Sequence, residues 1–260
     1  MKHKPLPLPL DVRLMNITAT VLFVAFALLL ASALGWWAVR HPAFAIGGIV
    51  VEGDVAHNNV ATLRANAAPR LSGNFFTVDL EQARSAFESV PWVRQAVVRR
   101  QFPNKLRVRL QEHEAVALLG SESESRLVNS FGEIFEANPG DVEDEAMPRL
   151  VGPDGAAAQV LAMYRGLAPL LERLELGVEQ VVLTGRGGWM LLLDSGAKVE
   201  LGRGTTEEVL LRGQRFAQTL TQVTAKYGRR PEALVTADLR HADGYAVKLR
   251  GVATTTAPGN

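Results

Sequence analysis

The residue types that carry out chemistry are all present except cysteine, but the sequence does not gather them. Five histidines (His3, His41, His57, His113 and His241) are scattered along the chain. His113 invites a reading as base or metal ligand, yet no partner histidine or ligand-spaced carboxylate pair accompanies it, and a hinge or surface role fits better. There is no G-x-S-x-G elbow, no H-E-x-x-H and no thiol nucleophile. Gly185-Arg186-Gly187-Gly188 and Gly202-Arg203-Gly204 are glycine-rich without forming a phosphate loop or a dinucleotide fingerprint, so they read as turns. Asp141–Glu145 holds four acids in five residues but lacks the alternating ligands and fixed glycine of a calcium loop, and reads as a solvated loop. The expectation is a protein with no catalytic residues, no metal, no cofactor and no small-molecule substrate. What remains is binding.

Two sets of residues suit binding. Arg99, Arg100, Lys105, Arg107 and Arg109 concentrate positive charge in a pair of β-type runs. They read either as a solvated outer face whose cations blunt an edge, or as a docking face for an acidic partner or anionic lipid. The second set lies at the end of the chain, where a short strand precedes a Thr-, Gly- and Ala-rich tail. Such a strand is expected at a sheet edge, with backbone groups free to accept a strand from another protein. Tyr245 and Val247 fall on one side of it and Ala246 and Lys248 on the other. Arg186 and Arg240 add cations able to pair with a partner's acids. The competing reading is that Tyr245 and Val247 simply complete the core.

The elements that must carry these residues begin with an uncharged run, Ile17–Val39, long enough as a helix to cross a hydrocarbon core. Residues 1–16 carry Lys2, Lys4 and Arg13 against Asp11, whereas residues 40–59 carry Arg40 against Glu52 and Asp54. That bias predicts a cytoplasmic N-terminal tail (1–16), a single transmembrane helix (17–39) and an exported body. Trp36 and Trp37 fall where an aromatic belt would anchor the outer end. A cleaved signal peptide is the alternative, because Ala31-Ser32-Ala33 resembles a cleavage site, but the apolar stretch continues past it. A net charge of +1 supplies no global field to recruit nucleic acid, and the missing cysteines exclude disulfide staples.

The body is predicted to be α+β and to fall into two domains. Residues 44–112 give β-α-α-β-β: a run at Ile46–Val51, a helix near Asn59–Ala67, a second helix N-capped by Asp79 and ended before Pro91, then strands at Ala96–Gln101 and Leu106–Leu110. Residues 113–249 give a mostly antiparallel β domain with packed helices. Its elements are a hairpin across Asn129–Glu133, a helix over 156–175 kinked or split by Pro169, and strands at Val178–Leu183, Trp189–Leu193 and Lys198–Leu201. A helix from Glu207 to about Lys226 follows, and then a hairpin across Ala242-Asp243-Gly244. Residues 250–260 read as a disordered tail.

Ordered motifs then point to a family. Phe75-Phe76-Thr77-Val78-Asp79-Leu80, Val90-Pro91-Trp92-Val93-Arg94-Gln95-Ala96 and Arg99-Arg100-Gln101-Phe102-Pro103-Asn104 resemble the POTRA module of the FtsQ/DivIB family of bacterial cell-division proteins. Leu127–Phe135, Leu150-Val151-Gly152-Pro153, Leu201-Gly202-Arg203 and Asp238-Leu239-Arg240 continue the match in order. The resemblance implies a scaffold of the septal machinery, single-pass in the inner membrane, with a cytoplasmic N-terminus and a periplasmic body. It implies that the FtsB–FtsL pair is recruited at the C-terminal strand by strand addition, and that FtsK meets the POTRA module and membrane-proximal part. Early and late division proteins would be linked in this way. Carried over by motif, the contacts are Arg186, Arg240, His241, Asp243, Tyr245, Val247 and Lys248; His241 departs from the Tyr that many members place after Asp-Leu-Arg. Two rival readings make different demands on the sequence. A POTRA-type chaperone or docking module of envelope protein transport predicts tandem POTRA units or a β-barrel, and a tethered wall-processing enzyme predicts a catalytic cluster.

Overall fold

The computed structural model describes residues 9–53, 55–121, 125–142, 147–241 and 244–252. The chain divides into two compact units, Met1–Gln111 and Glu112–Asn260.

The first unit opens with helix α1, Leu10–Val39, whose residues are all unburied and which is long and apolar enough to cross a membrane. It starts earlier than the uncharged run suggests. Pro9 sets its beginning and Asp11 sits in the first turn, where a carboxylate favours the positive end of the helix dipole. Strand β1 (Gly48–Gly53), helices α2 (Val60–Ala67) and α3 (Leu80–Glu88), and strands β2 (Val93–Gln101) and β3 (Lys105–Glu112) follow. The sheet order is β1-β3-β2, with β1 parallel to β3.

Both helices begin on side-chain caps. Asn59 accepts from Thr62 N at 2.7 Å, and Asp79 from Glu81 N and Gln82 N at 2.9 and 3.2 Å. The buried face of α2 is Leu63 with Ala67, whereas Val60 is exposed. Those residues pack with Ala83 and Phe87 of α3 against Ile49, Val98, Val108 and Leu110. In β3, Leu106, Val108 and Leu110 point into this core, and Lys105, Arg107 and Arg109 point away.

The second unit is built on one nine-stranded sheet. Its elements are β4 (Ala115–Leu119), β5 (Arg126–Asn129), β6 (Ile134–Phe135), β7 (Arg149–Val151), α4 (Ala157–Glu172), β8 (Val178–Leu183), β9 (Gly188–Leu193), β10 (Lys198–Arg203), α5 (Thr206–Ala225), β11 (Leu234–Asp238) and β12 (Ala246–Leu249). The strand order is β12-β11-β10-β9-β8-β7-β4-β5-β6. Five of the eight neighbour pairs are antiparallel, and the three parallel ones join β10 to β11, β7 to β8 and β4 to β7. The crossovers from β7 to β8 and from β10 to β11 are made by α4 and α5, and that from β4 to β7 passes through β5 and β6. Both helices contribute to one core: Val160, Leu167 and Leu171 from α4, and Val209, Phe216 and Leu220 from α5, meet Trp189, Leu191, Leu193, Val199 and Leu201.

Pro169 does not split α4, which runs through it to Glu172. The carbonyl that Pro169 leaves without its N–H partner belongs to Arg165, on the exposed side of the helix, where solvent can take the lost donor's place. Helix α5 starts on a reciprocal cap: Thr205 Oγ1 accepts from Glu208 N at 3.3 Å, and Glu208 Oε2 accepts from Thr205 N at 2.9 Å.

Candidate functional site

Strand β12 ends the sheet: β11 occupies one side, and among the described residues no strand occupies the other. Its register sets Asp238 opposite Ala246, Ala237 opposite Val247 and Thr236 opposite Lys248. Leu249 is buried at 5 % exposure, so strand parity turns Val247 and Tyr245 toward the core and leaves Ala246 and Lys248 exposed. The edge is therefore lined on its solvent side by a small residue and a cation.

Tyr245 stands just before the strand and faces α5. Its hydroxyl lies 2.7 Å from Thr219 Oγ1, and its ring meets Phe216 edge-to-face at 5.1 Å between centroids. It is a half-buried strut fixing the start of β12 to α5, as well as one wall of a groove of about 430 Å³. Arg212, Arg215, Leu239 and His241 form other parts of that wall. Arg212 reaches from α5 to the carbonyls of Leu201 and Arg203, which holds the end of β10 against the helix.

Arg240 is an engaged cation. Asp238 accepts its Nε at 2.8 Å, its Nη2 at 2.6 Å and its backbone N–H at 3.0 Å, a bidentate pair closed by a backbone bond. The side-chain bonds to Arg240, followed by the backbone bond, hold the Asp238 carboxyl well below the usual carboxylate range. Arg240 in turn packs beside Gly202, where φ is +80°, a left-handed value that glycine adopts without strain. A Cβ there would stand 2.9 Å from Arg240 Cγ.

Arg186 is exposed in the turn between β8 and β9. The pairings Leu183–Trp189, Gly188–Arg203, Glu200–Asp238 and Asp238–Ala246 carry that turn to the same end of the sheet as Arg240, His241 and Tyr245. Arg186, Arg240, His241, Tyr245, Val247 and Lys248 thus lie toward one end of the sheet, with Arg186 in the turn before β9, three strands in from β12. Asp243 and Ala242 lie outside the described residues, as do residues 143–146 of the acidic loop, residues 1–8 of the N-terminal tail and residues 253–260.

The basic set in the first unit differs in how its members are held. Arg99, Lys105, Arg107 and Arg109 line the solvent face of the sheet around Val97, with Arg107 paired to Glu52 at 3.5 Å. Arg100 has the opposite parity. Its Nε donates to Phe75 O at 2.7 Å, and its Nη2 to Val78 O at 2.7 Å and Phe76 O at 3.3 Å. Three carbonyls of one loop engage that guanidinium, while Arg100 stays exposed and lines the same groove as Val97, Arg99, Arg107 and Arg109.

His113 is half-buried, stacked on Phe135 at 4.1 Å between centroids, with Nδ1 2.9 Å from Asn129 Nδ2. Among the described residues no group of three or more His, Asp or Glu is placed to hold a metal ion. Asp238 is legible in the sequence only as part of Asp238-Leu239-Arg240, and Arg212 and Thr219 carry no signal there. The contacts of Arg212 and Thr219 join α5 to β10 and to Tyr245, and become visible only once that helix is packed.

Residues 44–113 match the POTRA domain, FtsQ-type, and residues 117–240 match the C-terminal domain of the cell division protein FtsQ/DivIB. The chain is 40% identical to the cell division protein FtsQ of Burkholderia pseudomallei over 243 residues, 93% of this chain and 94% of that protein. The chain belongs to the FtsQ/DivIB family. It is also 37% identical over 252 residues to FtsQ of Thiomonas arsenitoxydans (96% of this chain, 92% of that protein), and 37% identical over 257 residues to FtsQ of Bordetella pertussis (92% of each). Membership in the family supports a role in cell division through interactions with other division proteins. The C-terminal family match ends at Arg240, one turn before β12, so the open strand lies beyond the matched segment.

Proposed function

We propose that this chain is a non-catalytic scaffold of the division machinery that takes a strand of an FtsB-type partner onto β12, and through it holds an FtsB–FtsL pair. The single observation that supports the reading most directly is the open side of β12, with Ala246 and Lys248 exposed along it. Strand addition satisfies the edge's backbone groups, and the neighbouring groove beside Tyr245 and His241 offers a seat for a side chain that follows the added strand. Arg186 and Lys248 are cations left to pair with acids on that partner, while Arg240 presents only the donors that Asp238 does not use. The protein is anchored in the inner membrane by α1, its N-terminus in the cytoplasm and its body in the periplasm, at the septum. The POTRA-type unit and the membrane-proximal part engage FtsK, with Arg99, Arg100, Lys105, Arg107 and Arg109 as the candidate face.

A photocrosslinking residue at Ala246 or Lys248 of the full-length protein in dividing cells should capture the FtsB-type partner, and one at Ile134 on the opposite edge should not. Equal capture at both edges, or none at β12, would overturn strand addition. A fluorescent fusion tests the wider reading: midcell bands support it, and a diffuse envelope signal argues instead for a transport-docking module.

A further inference from the structure

The end of the first unit nearest α1 carries a run of rings that its own core does not consume. Phe44 meets Phe76 at 5.0 Å between centroids, Phe76 meets Phe75 at 5.2 Å, and Phe75 meets Phe102 at 6.4 Å. Phe75 is buried at 5 %, but Phe76 is 47 % exposed and Phe102, at the tip of the β2–β3 connection, is 82 % exposed. Large exposed aromatics side by side mark an interaction site.

Their scaffold ties them to the end of α1. Asn74 Nδ2 donates to the carbonyl of Val39, the last residue of that helix. The same side chain's Oδ1 accepts from Phe76 N at 3.0 Å and Thr77 N at 3.1 Å, which shapes the turn that presents Phe76. Phe75 N donates to Phe44 O at 2.9 Å, and Arg100 grips the carbonyls of Phe75, Phe76 and Val78 from the other side. Phe102 is held to the same end because Gly47 N donates to Asn104 O at 2.8 Å. With Asn74 on Val39, Phe76 is two residues, at most about 7 Å of backbone, from the contact with the helix end. That helix end has the makings of an interface: Trp36 and Trp37 are each 63 % exposed, and Arg40 lies 4.1 Å over the Trp36 ring.

We propose that this end of the first unit is a second membrane contact, in which Phe76 and Phe102, backed by Phe44, enter the headgroup layer of a phospholipid bilayer beside α1. The proposal rests on reading α1 as a bilayer-spanning helix. The occupant is lipid because the rings are continuous with the Trp36–Trp37 level of that helix and are fixed to its last carbonyl. Interfacial aromatic contacts of this kind sit about 5–10 Å into the headgroup and acyl boundary. The contact sets the height and tilt of the unit above the bilayer, which a free linker after Val39 would leave undetermined.

The chain has no cysteine, so single-cysteine labelling of the full-length protein is clean. Phe76→Cys, Phe102→Cys, Ala25→Cys and Gln95→Cys, each carrying an environment-sensitive fluorophore, would be placed in nanodiscs of phosphatidylethanolamine with a minority of phosphatidylglycerol. Gln95 is exposed on β2, roughly 20 Å along the strand from Phe102. Labels at 76 and 102 should emit to the blue of the label at 95 and be quenched by a headgroup-level nitroxide lipid. The label at 25 should be quenched only by a nitroxide deep in the acyl chains. Aqueous behaviour at 76 and 102 with a buried label at 25 overturns the contact and leaves the spanning helix standing. Aqueous behaviour at 25 as well would overturn both. Because Phe102 is exposed, Phe102→Asp leaves the core alone and should release the label at 76 from lipid; unchanged quenching would remove Phe102 from the contact.

Discussion

The two edges of the large sheet are treated in opposite ways. Strand β6 closes one edge with only Ile134 and Phe135, and the chain reinforces it from behind. Asn129, fully buried, accepts from Phe131 N and Glu133 N at 2.9 Å each and donates to Glu133 Oε2 at 2.6 Å, while His113 stacks on Phe135. Strand β12 at the other edge is twice as long and is held mainly from one side, by its pairing to β11 and by Tyr245 against α5. Short, internally bonded edges discourage pairing with other chains, and longer ones with small exposed residues permit it. The contrast teaches that an exposed edge becomes a docking element through what its neighbours leave undone.

The comparison can be broken at several points. Asn129→Ala removes the acceptor of two backbone N–H groups and should cost about 3 kcal/mol, read as faster amide exchange over residues 126–135 with β12 unaffected. If exchange rises equally at both edges, the edges are not independent. Arg212→Ala removes two carbonyl contacts at the end of β10 and should cost about 2 kcal/mol, with exchange rising near residues 201–203 and in β12. Tyr245→Phe loses only the bond to Thr219, about 1 kcal/mol, and should keep partner capture, because the ring still packs on Phe216. Tyr245→Glu should instead lose capture together with amide protection of residues 246–249; capture lost with protection intact would make Tyr245 a contact residue rather than a strut.

The smallest effect is the pH response of the Asp238–Arg240 pair. Because the folded state holds the Asp238 carboxyl below its ordinary value, the pair's contribution is complete above the unfolded carboxylate pKa near 4. It is lost as pH falls through the lower, folded value. Asp238→Asn should therefore flatten the acid-side loss of stability below about pH 4 and lower stability at neutral pH by the amount that the acid limb no longer loses. An unaltered acid limb in denaturation curves would show that the pair contributes nothing.

Elements with strong local periodicity were legible in the sequence. The alternation of Lys105–Leu110 gave β3 its faces, Asp79 marked the start of α3, and Val178–Leu183 is β8 to the residue. Strands β4 and β7 were missed for a local reason. Ala115–Leu119 is apolar throughout, so its period does not separate strand from helix, and Arg149–Val151 is three residues long. They pair with each other in parallel, and β7 pairs in parallel with β8 across α4, a pairing that no neighbouring residue encodes. At the sites, strand parity carries part of the answer. Arg99 and Arg100 are adjacent in a strand and differ in parity, yet both are exposed and line one groove, which parity alone does not give. Tyr245 and Val247 share the parity of Leu249, which already placed them toward the core. The Asp238–Arg240 clasp carried no such signal, since nothing in Asp-Leu-Arg says whether the arginine turns back or out.

A strand has two flanks, and β11 holds one of those belonging to β12. If a partner adds a strand there, as proposed, each copy of the protein offers it a single berth at this corner. Two ligands that both approach by extending the sheet must exclude one another, and saturation there is reached at one bound segment per copy. Rivalry for that vacancy, rather than any change of shape, would let arrival order decide which companion the protein retains.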